Sequence, residues 1–403
     1  MHSPVAQIGS KRAWMTRNGW TQEKDRQDMD KNGCSQNEST QNWESRSTME
    51  WRVFICGPAL RAGIIAMLLT GWHAPRAPAA ATLPAAYSAD RQGEVLELNE
   101  ENDFFAGADR HYTHGIRLAY FSADNCIPSW SQELIKLIPA LGFRLDACRT
   151  GLELGQSLYT PQDLSAKEPM PNDRPYAGWL YGGTVLQRRG LTRNLDIPVL
   201  ETMRIQAGIV GSGSMAAQAQ DVVHFATRFT QPQGWRNQLH NEPGLAAKYQ
   251  RAWRLSLREQ QDWGADLIPH AGMSLGNVDT SLRAGATVRI GWNLPDDFGI
   301  QTIDSLGITD GGRSSSANNR TWGFYGFIRT EEKAVAYTTF LDGNFFEASP
   351  SVDKRPLVAE LQSGLALIFS SAELAFMYVV RSKEFYGQES TDIFGSAFLK
   401  WKF

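Results

Sequence analysis

Apolar and polar positions alternate along most of the chain from residue 94 onward. In the clearest segment the apolar positions are Leu282, Ala284, Ala286, Val288, Ile290, Trp292 and Leu294, and the residues between them are polar or glycine. Because successive side chains of a strand point to opposite faces, this segment predicts a strand with one apolar and one polar face. The segment from Leu357 to Phe369 and the segment around Tyr249 repeat the pattern.

About twelve such runs are predicted, and clusters such as NLPDD, TDGGRSSSANN and LDGN mark turns. They lie near residues 94–105, 112–122, 150–160, 175–188, 196–211, 245–259, 263–276, 280–294, 321–338, 355–370, 373–384 and 394–403. A soluble sandwich alternates in the same way. However, runs of about ten to fifteen residues exceed the usual globular strand and match a tilted membrane span. The polar faces carry Arg and Glu, as a wet lumen does. We therefore expect an all-β fold, a closed antiparallel transmembrane β-barrel of about twelve strands.

The last predicted strand, FGSAFLKWKF, ends the chain at Phe403. Ala397, Leu399, Trp401 and Phe403 share one face, and lysines occupy the other. A terminal Phe on an amphipathic strand resembles the recognition signal of bacterial outer-membrane barrels, and implies the barrel-assembly machinery as a partner. Because lipid leaves no water to pair with backbone groups, the strands must close on themselves.

One stretch lacks the period of two. Residues 215–229 read MAAQAQDVVHFATRF, which is rich in Ala and has no Gly or Pro, so it predicts a short helix. Gln220 and His224 are four residues apart and therefore share a face of this helix. A helix between two barrel strands lies at a mouth or in a surface loop, where function is often located.

The N-terminal region has the order of an export signal. Residues 1–48 are polar and aperiodic, and are predicted to be disordered or to precede the true start at Met49. Residues 49–81 combine arginines, an apolar core from Ala62 to Gly71, and small residues before position 82, which predicts a signal peptide. The barrel domain is then expected to cover residues 82–403. The alternative is a short buried helix of a soluble domain.

Cysteine and charge usage narrow the class of protein. Cys126 and Cys148 are the two cysteines in the expected mature chain, and in an oxidising compartment they either pair or remain as two thiols. The net charge of −3 and the pI near 6.2 argue against a nucleic-acid partner.

Several motifs follow one another along the predicted barrel: ENDFF (101–105), DRHYTHGIRL (109–118), GQSLYTP (155–161), NDRPYAGW (172–179), QDVVH in the helix, and GWRNQL with NEPGL (234–245). In this order, and with the terminal Phe, the chain resembles the lipid A 3′-O-deacylase family of outer-membrane barrels. The resemblance covers roughly residues 94–403. It implies a twelve-stranded barrel that hydrolyses the ester of the 3′ acyl chains of lipid A, with Ca²⁺ as the cofactor and lipopolysaccharide in the outer membrane as the substrate.

The resemblance also implies site residues. His224 takes the position of the general base, and Gln220 lines the same helix face. Asn102 and Asp103 match a polar pair associated with calcium and oxyanion binding, so that both are candidate metal ligands. Further catalytic candidates are Thr113, in the YT-x-G motif, and Lys167, the nearest match to a lysine after LYTP.

The residues themselves are compatible with this chemistry. The expected mature chain has neither a G-x-S-x-G nucleophile elbow nor HExxH zinc spacing. A neutral His can deprotonate water, and a hard cation with oxygen ligands can polarise a carbonyl. Simpler interpretations stand beside these roles: a structural His224, an Asn102–Asp103 pair that caps a turn, an ordinary strand residue at Thr113, and a solvated Lys167. His114 is expected to line the lumen.

One position departs from the family pattern. Some members carry a glutamate six residues after the histidine, where this chain has Thr230, and nearby Glu242 does not align with it. Three other functions remain open: a phospholipase of the same membrane, a passive pore, and a purely structural barrel.

Overall fold

A computed structural model describes residues 92–403, except for 108–109, 129–131, 133–134, 136–137, 230, 261 and 311–320. The predicted upstream segment at 1–48 and the predicted signal peptide at 49–81 lie outside the described residues. The first ten residues of the predicted barrel domain lie outside them too.

The described chain is built from antiparallel strands that follow one another around a single sheet. The strands are β1 (Val95–Asn102), β2 (His111–Phe121), β3 (Phe143–Thr160), β4 (Ala177–Thr192), β5 (Pro198–Val210), β6 (Glu242–Trp253), β7 (Leu255–Gln260), β8 (Trp263–Gly276), β9 (Asp279–Trp292), β10 (Trp322–Thr338), β11 (Leu357–Phe369), β12 (Ala372–Arg381) and β13 (Asp392–Lys402). The helices are α1 (Ala216–Thr227) and α2 (Thr339–Asp342).

The sheet closes into the predicted twelve-stranded barrel. β1 pairs with β13 from Val95 opposite Lys402 to Asn102 opposite Gly395. β6 and β7 both pair with β8 and together occupy one position in the barrel. The interruption between them is at Arg254, whose Nε donates to Asp266 Oδ2 at 2.8 Å. The predicted run at 245–259 is therefore one interrupted strand.

The two ends of the barrel differ. The connections after β1, β3, β5, β8, β10 and β12 meet at one end, which we call the helix end because α1 follows β5. Val95 and Lys402 lie at the opposite end, the terminal end. Most of the connections at the helix end are long, as is typical of the extracellular side of such barrels.

The outer surface carries the predicted apolar faces. Leu282, Val288 and Ile290 of β9 are exposed, whereas Arg283 and Arg289 between them are buried in the lumen. Exposed aromatic side chains form a belt near the terminal end: Trp263, Trp322, Phe369, Trp401 and Phe403. An apolar band with an aromatic girdle is the outer surface of a membrane barrel. The prediction for Leu294 was wrong: β9 ends at Trp292, and Leu294 is buried inside.

Charged side chains fill the lumen and are paired. Arg204 Nη2 lies 2.6 Å from Glu153 Oε2, and Arg289 Nη2 lies 2.7 Å from Asp266 Oδ2. Arg283 Nη1 contacts a third carboxylate, on Glu331, at 3.3 Å. Pairing offsets the large cost of burying a charge away from water.

The connection between β9 and β10 enters the lumen over residues 294–310. Its apolar side chains are buried, and its backbone binds the wall: the carbonyl of Ser305 accepts from Arg204 Nη1 at 2.7 Å, and the amide of Ile303 donates to Glu101 Oε1 at 2.8 Å. This segment was predicted only as turns. It fills the described part of the lumen, which argues against the passive pore.

The described part of the chain contains two cysteines. Cys126 is an exposed free thiol and Cys148 a buried one, so that the structure favours the unpaired alternative.

Among the described residues, neither helix has the length and apolar character needed to cross a membrane.

Candidate active site

The outer wall at the helix end carries a row of four residues that face away from the lumen. Asn102 of β1 lies opposite His114 of β2, His114 lies opposite Leu158 of β3, and Leu158 lies opposite Gly178 of β4. Because neighbouring strands are about 4.8 Å apart, Asn102 and Leu158 are roughly 10 Å apart. We call these four residues the outer row.

α1 packs on one end of the outer row. Leu158 is fully buried, although Leu152 and Leu154, which point to the same face of β3, are exposed. Leu158 is covered by a cluster that includes Ala216, the first residue of α1. Gly178 is required here because a Cβ at this position would collide with Ser214 and Ala216. The helix therefore lies against the outside of the barrel wall, rather than inside the lumen.

Left-handed residues bound α1 at both ends, Met215 (φ 58°) and Arg228 (φ 63°). The amide of Arg228 and that of Phe229 both donate to the carbonyl of His224, which fixes the last turn. Apolar side chains of Val222 and Phe225 are 65% and 82% exposed on the opposite face. An apolar exposed face suits a helix that borders lipid.

Gln220 and His224 form a buried pair on the wall side of α1, with 2% and 3% exposure. Trp235 Nε1 donates to Gln220 Oε1 at 2.7 Å, and Gln220 Nε2 lies 3.3 Å from His224 Nε2. An indole N–H can only donate, so the amide nitrogen of Gln220 must face the imidazole. His224 Nε2 is then the acceptor in this contact. Trp235 was missed as a site residue, although it lies in the GWRNQL motif.

Aromatic contacts join α1 to the turn after β1. The ring of Phe229 lies 5.8 Å from that of His224, and 5.3 Å from that of Phe104 in an edge-on contact. Phe104 directly follows Asp103 in the chain. The structure therefore brings together the two halves of the predicted site, which are more than a hundred residues apart in sequence.

Asn102 and Asp103 shape the turn after β1. Asn102 Oδ1 accepts from the amide of Phe104 at 2.8 Å and caps a 3-10 turn, Asp103–Ala106. Asp103 is 3% exposed, and its Oδ2 accepts from the amide of Arg110 at 2.5 Å. The capping role considered from the sequence is thus present. The turn therefore carries one side-chain amide and one carboxylate next to each other.

Thr113 and Lys167 are placed differently. Thr113 is buried beside His114, at a bulge in β2, and its hydroxyl lies 2.7 Å from that of Thr160. The side chain of Lys167 is exposed. Its carbonyl accepts from Asn237 Nδ2 at 2.6 Å, so that Lys167 is joined through its backbone to the 3-10 turn that carries Trp235.

The expectation that His114 lines the lumen was wrong. Its side chain shares the outer face of β2 with Ile116 and Leu118, and it stands in the middle of the outer row. Nδ1 of His114 is buried and has no hydrogen-bond partner within the described part of the chain. An unsatisfied polar group on a membrane-facing wall is costly and often marks a functional site.

Glu242 does not replace the glutamate that the family pattern places at Thr230. Its carboxylate accepts from the amides of Phe345 and Phe346, at 3.1 and 2.9 Å, and so holds the connection after β10. Thr230 itself lies outside the described residues.

The side-chain oxygen atoms of Asn102 and Asp103 are the type of ligand that a hard cation prefers. No group of three or more His, Cys, Asp or Glu side chains within the described ranges is arranged to hold a metal. Further ligands for a cation at this turn would therefore be carbonyl, amide or water oxygens, which Ca²⁺ readily accepts.

These features define an outer-membrane β-barrel with a filled lumen and a polar site on its outer wall. The family model described as "Outer membrane protein LpxR" matches residues 66–403. The chain therefore belongs to the LpxR family of outer-membrane proteins.

One solved structure shows the same fold, and two others are less similar. LpxR from Salmonella typhimurium is similar with a TM-score of 0.57 and 17% identity, over 77% of this chain and 100% of that one. The β domain of the Bordetella autotransporter BrkA gives a TM-score of 0.35 at 10% identity, over 77% and 99% of the two chains. The transport unit of AIDA-I from Escherichia coli gives 0.33 at 8% identity, over 80% and 93%. The comparison with curated proteins gave no match.

Proposed function

We propose that this protein is a carboxylic ester hydrolase that removes the 3′-linked acyl chains of lipid A in the outer leaflet of the outer membrane. The observation that carries the proposal is the position of the Gln220–His224 pair, on the wall side of a helix that packs on the outside of the barrel and whose exposed face is apolar. An acyl chain already in the membrane approaches this side of the wall without entering the filled lumen.

His224 acts as the general base in this proposal. The amide nitrogen of Gln220 donates to Nε2 of His224 in the resting site. A water molecule takes the place of this donor, and Nε2 accepts its proton as the oxygen of that water attacks the ester carbonyl. The tetrahedral intermediate then collapses, the C–O bond to the sugar breaks, and the proton passes from His224 to the leaving alkoxide. The products are a free fatty acid and a sugar hydroxyl.

The oxyanion of the intermediate needs donors that are already in place. Asn102 and His114 of the outer row are the nearest polar side chains by register, and we assign them this role together with the hydroxyl of Thr113. Lys167 positions the turn of Trp235 through its backbone, and its mobile ammonium group is available to the headgroup of the substrate.

We further propose that calcium is the cofactor and that Asp103 and Asn102 supply ligands. A hard cation bound there would polarise the ester carbonyl and favour the oxyanion. Asp103 offers a buried carboxylate at the edge of the outer row, and its position next to Phe104 links it to the imidazole side of the site.

A phospholipase of the same membrane is the second candidate, because a site on the outer wall is equally open to glycerophospholipids. The two are separated by incubating the purified barrel with lipid A and with phosphatidylethanolamine vesicles, and measuring released fatty acids by mass spectrometry. The expected result is that lipid A loses the mass of its 3′-linked acyl chains, whereas the phospholipid releases no fatty acid. Release from the phospholipid alone would reject the lipid A assignment.

We also propose that the barrel-assembly machinery recognises Phe403. The residue is exposed at the terminal end, and its amide donates to the carbonyl of Glu94 at 3.0 Å, far from α1. Deletion of Phe403 is expected to lower the amount of barrel in the outer membrane and to leave the activity of each assembled molecule unchanged. Normal outer-membrane levels would contradict this.

A further inference from the structure

His111 is the first residue of β2 and lies at the helix end, closer to the mouth of the barrel than the outer row. Its side chain is fully buried. The imidazole packs edge-on against the ring of Phe385, with ring centroids 5.5 Å apart. The proposed reaction gives this histidine no role.

The two ring nitrogens of His111 face carboxylates on different elements. Nδ1 lies 2.5 Å from Asp392 Oδ1, at the start of β13. Nε2 lies 3.6 Å from Asp173 Oδ1, in the connection after β3, and has no hydrogen-bond partner within the described residues. A carboxylate can only accept, and a neutral imidazole has a single N–H. Only the imidazolium, with an N–H on each nitrogen, presents a donor to both carboxylates.

The charges around His111 favour the imidazolium. Burial opposes the positive charge, but the carboxylates of Asp173 and Asp392 outweigh burial and raise the pKa of the imidazole. The guanidinium of Arg174 has a smaller, opposite effect, and it is itself paired with Glu384 at 2.9 Å. The stabilisation from this cation is therefore fully present below the ordinary histidine pKa of about 6.5, and it is lost as the pH rises through the raised value.

The backbone of His111 is left-handed, with φ 66°, which is costly for a residue that has a Cβ. This turn of the chain places the preceding residue, Arg110, against two other elements. The amide of Arg110 donates to Asp103 Oδ2 at 2.5 Å, and its guanidinium donates to Ser390 Oγ at 2.6 Å. The ion pairs of the His111 side chain offset the backbone strain and hold the chain in this direction.

Asp173 connects His111 to the other half of the candidate site. Its carboxylate accepts from two backbone amides of the connection after β3, each at 2.7 Å, and so fixes the shape of that connection. Tyr176 in the same connection packs against Trp235, with ring centroids 4.9 Å apart. Trp235 in turn donates to Gln220. His111 therefore stands between the turn after β1 and the residues that support α1.

We propose that His111 is a positioning residue which, as an imidazolium between Asp173 and Asp392, joins the two halves of the candidate site. The link to catalysis rests on the proposed function, whereas the charge of His111 rests on the geometry alone. When the proton leaves, one carboxylate loses its donor, and the connection after β3 is no longer held to β2. Ester hydrolysis should therefore decline as the pH rises, although His111 takes no part in the proton transfer.

The charge of His111 is tested by nitrogen NMR of the barrel labelled with ¹⁵N-histidine, in detergent micelles. The signals of His111 are those lost in His111→Asn, a change that tolerates the left-handed φ. Their titration midpoint is expected above about pH 6.5 and should fall in Asp392→Asn. His240→Asn, the same change at an exposed histidine, should leave the midpoint unaltered. A midpoint at or below 6.5, or one that does not respond to Asp392→Asn, would overturn the proposal.

Kinetics test the positioning role. Hydrolysis of lipid A by wild type should decline toward alkaline pH with the midpoint of the NMR titration, and Asp392→Asn should move this decline to lower pH. His111→Asn should lack the decline and should lower kcat/KM about tenfold at neutral pH, because misplacing a site by about 1 Å costs up to about 10²-fold. If His111→Asn does not assemble, the shift in Asp392→Asn alone decides.

Two results would contradict the positioning role. A decline that is unchanged in both variants would reject it, even where NMR finds the imidazolium. A wild type that hydrolyses no lipid at any pH would reject the proposed function and the positioning role together, whereas a high NMR midpoint would still support the charge assigned to His111.

Discussion

Trp235 Nε1 donates a hydrogen bond of 2.7 Å to Gln220 Oε1, and this contact sets which end of the Gln220 amide faces His224. The donor is on the connection before β6 and the acceptor is on α1. This contact therefore orients the amide group beside the candidate base.

Trp235→Phe keeps the aromatic packing with Tyr176 and removes the donor. Because a neutral hydrogen bond contributes about 0.5–1.5 kcal/mol, we expect the rate of ester hydrolysis to fall about threefold to tenfold. The rate is measured on lipid A with purified barrel. Trp263→Phe, at the exposed terminal end, is the matched control and should be silent. An unchanged rate in Trp235→Phe would show that this hydrogen bond to the Gln220 amide does not contribute to hydrolysis.

Calcium dependence can be tested at Asp103. Excess chelator should abolish hydrolysis, and added Ca²⁺ should restore it. Asp103→Asn keeps an oxygen that can accept from the amide of Arg110 but removes the negative charge, so it should raise the Ca²⁺ concentration needed for half-maximal activity. Asp196→Asn, whose carboxylate pairs with Arg144 on the exposed surface at 2.5 Å, is the control. Full activity in chelator would reject a metal role.

His114 is predicted to hydrogen-bond the substrate rather than to support the fold. His114→Leu should assemble normally, as judged by its heat-dependent mobility on gels. Its kcat/KM for lipid A should fall by about threefold to tenfold, which corresponds to one lost hydrogen bond. His114→Asn should recover part of the loss because an amide can still donate. Ile116→Ala, at the next outward position of β2, serves as the control. Wild-type kinetics in His114→Leu would assign the residue to packing.

Sequence alternation predicted the barrel because each strand obeys one physical rule, apolar toward lipid and polar toward the lumen. The rule fails where a polar residue serves a site on the outside. His114 was predicted to line the lumen, and it faces outward instead. His114 is two and four residues before Ile116 and Leu118, and this even spacing places all three side chains on the outer face of β2. The first part of β3, from Phe143, was also missed, because its pairing with β4 shifts register between Leu145 and Ala147, and such a bulge breaks the period of two.

Other features could not be predicted from local pattern. The lumen segment at 294–310 is held by contacts to β1, β2, β4 and β5, such as Ile303 to Glu101, and such distant pairs leave no period in the sequence. Gln220 and His224 were found from their spacing on a helix and from family motifs. That they face the outer row, with Trp235 behind them, depends on the register between β1 and β4.

The central claim is that His224 is the base of an ester hydrolase on the outer wall. The most direct measurement is the mass spectrum of lipid A after incubation with correctly folded His224→Ala, beside wild type and a His240→Ala control. His240 is an exposed histidine of the same connection. Because a general base contributes about 10²–10⁴ in rate, removal of the 3′ acyl chains by His224→Ala should fall by about 10²-fold or more. His240→Ala should match wild type. Near-normal loss of the 3′ acyl chains with folded His224→Ala would contradict the account.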